Sequence, residues 1–186
     1  MSAPIKLSII TVNLNNAAGL SKTLESVASQ TFTNYEHIII DGGSTDGSVD
    51  IIKDYERKYN GVPGHLYWVS EPDKGIYNAM NKGIKVASGE YLEFLNSGDY
   101  YFSKHSIMFF NQDLNFDLVF GDDIVEEKDG RRTTIERPDK ITINHLLTKT
   151  MSHSASFFKN ELFVKFGLYN ESYKIAADYE FFLKIF

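Results

Sequence analysis

The chain has 186 residues, of which 42% are apolar and 24% charged, and it contains no cysteine. That balance excludes a disordered chain, a disulfide scaffold, thiol catalysis and Cys-ligated zinc. The net charge of -6 argues against nonspecific nucleic-acid binding, and no apolar run approaches the ~20 residues of a membrane helix.

Residues 6–12 (KLSIITV) are a β-branched run and predict a first strand. Leu20, Leu24, Val27 and Ala28 recur at helical spacing and predict a helix over 17–30. Residues 35–40 (YEHIII) predict a second strand that stops at Asp41. The glycine-rich stretch Gly42 to Gly47 leads into a helix over 48–59, with Val49, Ile52 and Tyr55 inward. A loop at 60–64 precedes a third strand over 66–69. The next helix, 75–87, carries Ile76, Met80, Gly83, Ile84 and Ala87 on one face and breaks at Ser88-Gly89. The fourth strand, 91–95, has no room for a solvated face and opens into Asn96-Ser97-Gly98-Asp99.

This alternation predicts an α/β fold with a mostly parallel sheet and helices on both faces. Thr11 to Asn13, Asp41, Ser70 to Asp73 and Asn96 to Asp99 then fall on one edge, where ligands of open α/β sheets sit. Beyond Asp99 the pattern changes. A helix is expected over 103–110, a strand over 117–120 and a hairpin from 124–127 and 131–135 around Lys128-Asp129-Gly130. Short helices follow at 142–147 and 161–166, a strand at 154–158, and a last helix opening at Asp178. That helix has no stop signal and ends on Phe181, Phe182, Ile185 and Phe186, so the expectation is one domain over 1–186 missing a C-terminal segment.

The Asp41 loop offers close backbone approach and the N–H groups of the following helix to an anion. It also reads as a βα turn with Ser44 or Asp46 as N-cap. It is neither a P-loop nor a dinucleotide fingerprint, and Arg57 stands where an EF-hand from Asp46 needs Glu. Asp99 is either a turn aspartate or a metal ligand. Without cysteine, oxygen ligands favour Mg2+ or Mn2+, and such an ion would stabilise a departing diphosphate. Asp178 and Glu180 are acids favoured by a helix N-terminus, or Asp178 is a general base. His153 reads as a supporting histidine, Asp122-Asp123 as mostly structural, and Arg131, Arg132 and Arg137 as a solvated hairpin face.

Four pieces, SIITVNLNNAAGLSKTLESVASQTF, YEHIIIDGGSTDGS, EPDKGIYNAMNKGIKVASGEYLEFLNSGD and AADYEFFLKIF, taken together and in this order, resemble the family 2 glycosyltransferases of GT-A fold. The nearest subgroup is that of bacterial exopolysaccharide enzymes of the colanic-acid type. The resemblance implies a nucleotide-sugar donor, a divalent metal and inversion at the anomeric carbon. It implies that Thr11 and Asn13 line the nucleotide pocket and that Asp41 and the glycine-rich turn at Gly43 face base or ribose. Asp73, Lys74, Asn81 and Asn96 fall among donor contacts, Asp99 faces metal and diphosphate, and Asp178 deprotonates the acceptor hydroxyl. Residues 1–100 would then bind the donor and 101–186 the acceptor. A UDP-sugar, a saccharide or lipid-linked saccharide acceptor and a cytoplasmic enzyme peripheral to the membrane are expected, and the apolar C-terminal end is open to dimerisation. The chain departs from the family at Gly42, where a second carboxylate is usual, at Ser97-Gly98, where another carboxylate is usual, and at Met80, where many relatives carry Arg. Those departures leave a non-catalytic nucleotide-sugar-binding module as the competing expectation.

Overall fold

The computed structural model describes residues 4–59, 65–148 and 151–186, and the loop expected at 60–64 lies outside the described residues. Strands β1 (Leu7–Asn13), β2 (Tyr35–Asp41), β3 (His65–Ser70) and β4 (Tyr91–Phe94) alternate with helices α1 (Ala17–Ala28), α2 (Ser48–Tyr59) and α3 (Ile76–Val86). There follow β5 (Leu118–Phe120), the hairpin β6 (Asp123–Glu126) and β7 (Arg132–Ile135), α4 (Ile143–Thr148), β8 (Ser156–Lys159), α5 (Asn160–Phe166) and α6 (Ala177–Ile185).

The central sheet has six strands in the order β3-β2-β1-β4-β8-β5. β3, β2, β1 and β4 are mutually parallel, whereas β8 is antiparallel to both β4 and β5. Every residue of β1, β2 and β4 is buried, as expected of strands covered on both faces. The period of two divides their side chains between two cores. Ile10, Val12, Ile38, Ile40, Leu92 and Phe94 meet Met80 and Ile84 of α3 and Phe181 and Phe182 of α6. Leu7, Ile9 and Tyr91 meet Val27, Phe110 and Phe157 on the opposite face, where Ile39 packs with Leu20, Leu24, Ile52 and Tyr55 of α1 and α2. Gly83 lets α3 approach the sheet, because a Cβ there would stand 2.5 Å from Ile10 Cγ2.

The direction of β8 decides the site. An antiparallel strand begins on the edge where its parallel neighbours end. The 3-10 turn His153–Ala155, which leads into β8, is thereby brought to the carboxyl edge beside Asn96 and Asp99. The helix expected over 103–110 is not formed. Turns run into a short 3-10 helix at Met108–Asn111. Ser103 Oγ accepts from the His105 N–H at 3.2 Å and Ser106 Oγ from the Ser103 N–H at 3.1 Å. Such local side-chain bonds compete with helix formation. Among the described residues, no helix is long and apolar enough to cross a membrane.

Candidate active site

Asp41 ends β2, fully buried, and both of its oxygens are engaged. Oδ1 accepts from Asn13 Nδ2 at 2.7 Å and Ser44 Oγ at 2.6 Å. Oδ2 accepts from Ser70 Oγ at 2.6 Å, the Ser44 N–H at 2.9 Å and the Gly43 N–H at 3.2 Å. Burial pushes this carboxyl up, but the bonds from Ser44, Ser70 and Asn13 overcome it and hold the group below the ordinary carboxylate value. Asp41 therefore ties together the ends of β1, β2 and β3. Asn13 Oδ1 is buried with no hydrogen-bond partner among the described residues. Ser44 is thus spent on Asp41, and Asp46 is the capping residue, accepting from Ser48 N–H at 3.1 Å and Ala17 N–H at 2.8 Å.

Thr11 lies deeper in the sheet. Its hydroxyl donates to the Leu95 carbonyl at 2.8 Å and accepts from His37 Nε2 at 3.0 Å. His37 is fully enclosed, and burial drives its imidazole down to about 3, so it stays neutral. Gly43 has φ +83, and a Cβ there would meet Pro72 N at 3.3 Å. Asp73 reaches the same place from the loop after β3, and Lys74 beside it is exposed. Asn81 stands apart from the strand-end loops as a brace. Its side chain accepts from the Tyr169 N–H at 3.0 Å and donates to the Tyr169 carbonyl and Glu171 Oε1, both at 2.9 Å.

Asp99 is exposed on the loop after β4. That loop is fastened to α1, since Thr23 Oγ1 donates to the Asp99 carbonyl at 2.7 Å and accepts from the Gly98 N–H at 3.0 Å. The Asp99 carboxylate accepts from Ser154 Oγ at 2.7 Å. Among the described residues no group of three acids or histidines forms a metal cluster. The donor set fits a Mg2+-type ion held by one carboxylate and completed by phosphate oxygens of a ligand.

Asp178 lies in the first turn of α6, two residues after the N-cap Ala176, whose φ of +70 is left-handed. Tyr77 of α3 donates to Oδ1 at 2.9 Å, and His153 Nδ1 stands 3.1 Å from Oδ2. Burial pushes the Asp178 carboxyl up, but His153 and Tyr77 together hold it below its ordinary value, so it is ionised at neutral pH. It opens, with His153, onto a cleft of about 530 Å³ lined by Tyr77, Leu146, Leu147, Ile175 and Tyr179. Asp99 lines a different cleft of about 1120 Å³ that also has Glu93, Tyr101, Phe120, Asp122 and Arg137 in its walls. Arg137 is a correction to the solvated face expected. Its side chain is 11% exposed and is paired with Asp123, while Asp122 Oδ1 accepts its N–H at 2.8 Å. Sequence reasoning placed Ser70 on the same edge as Asp41, and it missed Tyr77 and Ser154 as partners of Asp178 and Asp99. Neither Tyr77 nor Ser154 carries a local signal, since their roles come from segments far away in the chain.

A mostly parallel sheet with carboxylates gathered at the carboxyl ends of its parallel strands marks the ligand-binding edge of an open α/β fold. Residues 8–156 match the family model described as Glycosyl transferase family 2, and the chain belongs to the family 2 glycosyltransferases. An uncharacterized glycosyltransferase of Mycobacterium tuberculosis is 37% identical over 193 residues, covering 98% of this chain and 69% of that protein. A Mycobacterium bovis protein named as a PGL/p-HBAD biosynthesis glycosyltransferase is 34% identical over 191 residues, covering 100% of this chain and 71% of that protein. The mannosyltransferase PcManGT from Pyrobaculum calidifontis, solved with GDP-Man and Mn2+, superposes with a TM-score of 0.73 at 19% identity, covering 98% of this chain and 54% of that one. S. aureus TarS 1–349, solved with UDP, superposes with a TM-score of 0.72 at 22% identity, covering 95% and 53%. These likenesses show the GT-A fold, and the chain spans about half the length of the two solved chains.

Proposed function

We propose that this chain transfers a sugar from a nucleotide-sugar donor, a UDP-sugar, to a hydroxyl of a saccharide or lipid-linked saccharide acceptor in surface glycan synthesis. The observation that carries the reading is that two carboxylates from distant loops, Asp99 and Asp178, are held by the consecutive residues Ser154 and His153. The nucleotides in the TarS and PcManGT structures and the glycan-building name of the mycobacterial relative support it.

In this reading Asn13, Asp41 and Asp73 receive the nucleoside, with the unpartnered Asn13 Oδ1 free to accept a ligand N–H or O–H. Thr11 and Asn96 hold the surrounding strand ends in place, Lys74 reaches the donor from the loop, and Gly43 keeps the backbone close. A Mn2+ or Mg2+ ion shared by Asp99 and the diphosphate would supply charge neutralisation when bound. Asp178 accepts the proton of the acceptor hydroxyl. That oxygen bonds to the anomeric carbon as the carbon–diphosphate oxygen bond breaks, its electron pair leaving with the nucleoside diphosphate. Attack opposite the leaving group inverts the centre. Residues 1–100 carry the donor side and 101–186 the base and the acceptor side. A lipid-linked acceptor would bring the enzyme to the cytoplasmic membrane face.

Thermal unfolding against nucleoside diphosphates and nucleotide sugars, with and without Mn2+, tests this. A ligand at a hundredfold excess over its Kd stabilises by about 2.7 kcal/mol. One uridine nucleotide should give a metal-dependent shift that is lost in Asp99→Ala. Asp178→Asn should keep that shift and lose turnover, which separates an enzyme from a binding module. A chain that no nucleotide stabilises would refute the donor site.

A further inference from the structure

The turn His153–Ala155 lies between the two carboxylates and touches both. Ser154 Oγ donates to Asp99 Oδ2 at 2.7 Å, and the neighbouring His153 places Nδ1 3.1 Å from Asp178 Oδ2. On the far side of the imidazole, Asn96 Nδ2 lies 2.8 Å from His153 Nε2. An amide nitrogen only donates. The ionised Asp178 carboxylate also only accepts, so the ring proton sits on Nδ1 and Nε2 is left as the acceptor of the Asn96 amide. Asn96 belongs to the Asp99 loop, and its backbone carbonyl accepts the Asp99 N–H at 2.9 Å. Its Oδ1 is buried without a partner among the described residues. The opposite oxygen of Asp178 is held from α3 by Tyr77 at 2.9 Å.

We propose that His153 is a positioning residue for Asp178, with its tautomer set by Asn96, and that this turn links the Asp99 loop to the proton-accepting carboxylate. This role rests on the transferase reading of Asp178. With Nδ1–H committed to Oδ2 and the Tyr77 hydroxyl committed to Oδ1, the carboxylate cannot rotate freely where it lines the cleft. A ligand drawing Asp99 away from Ser154 would act on the same turn that carries His153.

Two measurements test the proposal. Long-range 1H–15N spectra of the imidazoles, recorded without ligand and above the ordinary histidine titration range, read the tautomer directly, with His153→Asn assigning the resonance. His153 should carry its proton on Nδ1 with Nε2 bare, and Asn96→Ala should move proton to Nε2. A wild-type ring protonated at Nε2, or a tautomer indifferent to Asn96→Ala, overturns the proposal whatever the chain catalyses. The second measurement is UDP release from UDP-glucose and UDP-N-acetylglucosamine with Mn2+. His153→Ala should lower kcat ~10- to 100-fold, the scale of one hydrogen bond to a charged group. Donor KM should stay within about twofold, because the lost bond acts on the base and not on the donor. His153→Asn, which keeps an N–H near the place of Nδ1, should recover much of kcat. If Asp178→Asn is inactive while His153→Ala keeps wild-type kcat, the positioning role falls alone. If Asp178→Asn keeps full turnover, the transferase reading of Asp178 falls. Where wild type turns over neither sugar, the spectra still decide the positioning role and the choice of a UDP donor is what fails.

Discussion

Asp73 Oδ2 lies 2.6 Å from the point where a Cβ on Gly42 would stand. The loops after β2 and β3 therefore meet at the position where the family pattern has a second carboxylate. The carboxylate present comes instead from Asp73, whose Oδ1 accepts the Gly75 N–H at 2.9 Å at the start of α3.

Gly42→Ala tests that relationship. Gly42 does not occupy the left-handed region, so the backbone accepts alanine and the Asp73 side chain must move. Urea unfolding should stay within about 1 kcal/mol of wild type, while stabilisation by the nucleotide that binds wild type should shrink. A variant that binds it equally well would remove Asp73 from the donor site.

Glu93 gives a pH dependence. It is 1% exposed on β4, and burial pushes its carboxyl from 4.5 up to about 8, against the opposing bond from Tyr101. The folded value lies above the unfolded one, so the stability from the neutral acid is fully present below 4.5 and is lost as pH rises through about 8. Glu93→Gln cannot ionise and keeps the shape. Its unfolding free energy from urea titration should match wild type near the acid end and exceed it above the folded value, by on the order of a few kcal/mol. An identical pH profile for both proteins would show that Glu93 does not titrate in this window.

Gly83→Ala should destabilise the fold although alanine is the better helix former. The new Cβ would stand 2.5 Å from Ile10 Cγ2 in the middle of the sheet, and overpacking of this kind costs about 1–3 kcal/mol. Equilibrium unfolding measures it. A gain in stability would mean that α3 can move away from β1 at no cost.

Ala176→Gly should act in the opposite sense. Ala176 holds φ +70 at the start of α6, where a Cβ is unfavourable. Glycine should stabilise by about 0.5–1 kcal/mol after its larger unfolded-state entropy is counted. Loss of stability in urea unfolding would show that the Ala176 methyl group makes a packing contribution larger than the strain.

Local periodicity carried the first half of the chain. β1 to β4 and α1 to α3 stand where the apolar spacing places them, Asp41 ends β2 and Asp99 lies in the loop after β4, as expected. The family resemblance agrees with the match over residues 8–156. The segment 103–110 misled because Ser103 and Ser106 bond to nearby backbone, a choice that periodicity does not report. Arg137 misled because its partner Asp123 is reached only through the hairpin fold.

The sequence by itself determined the alternation of strands and helices, the edge on which the loops gather and the family, because those follow from short-range spacing and ordered motifs. Only the tertiary structure decided that β8 runs against its neighbours, which brings His153 and Ser154 to Asp178 and Asp99. The bonds that result span 25 residues for His153–Asp178, 55 for Ser154–Asp99 and 101 for Tyr77–Asp178. No local preference encodes them. They form because the packing of α6 and β8 on the sheet brings those side chains together at one edge.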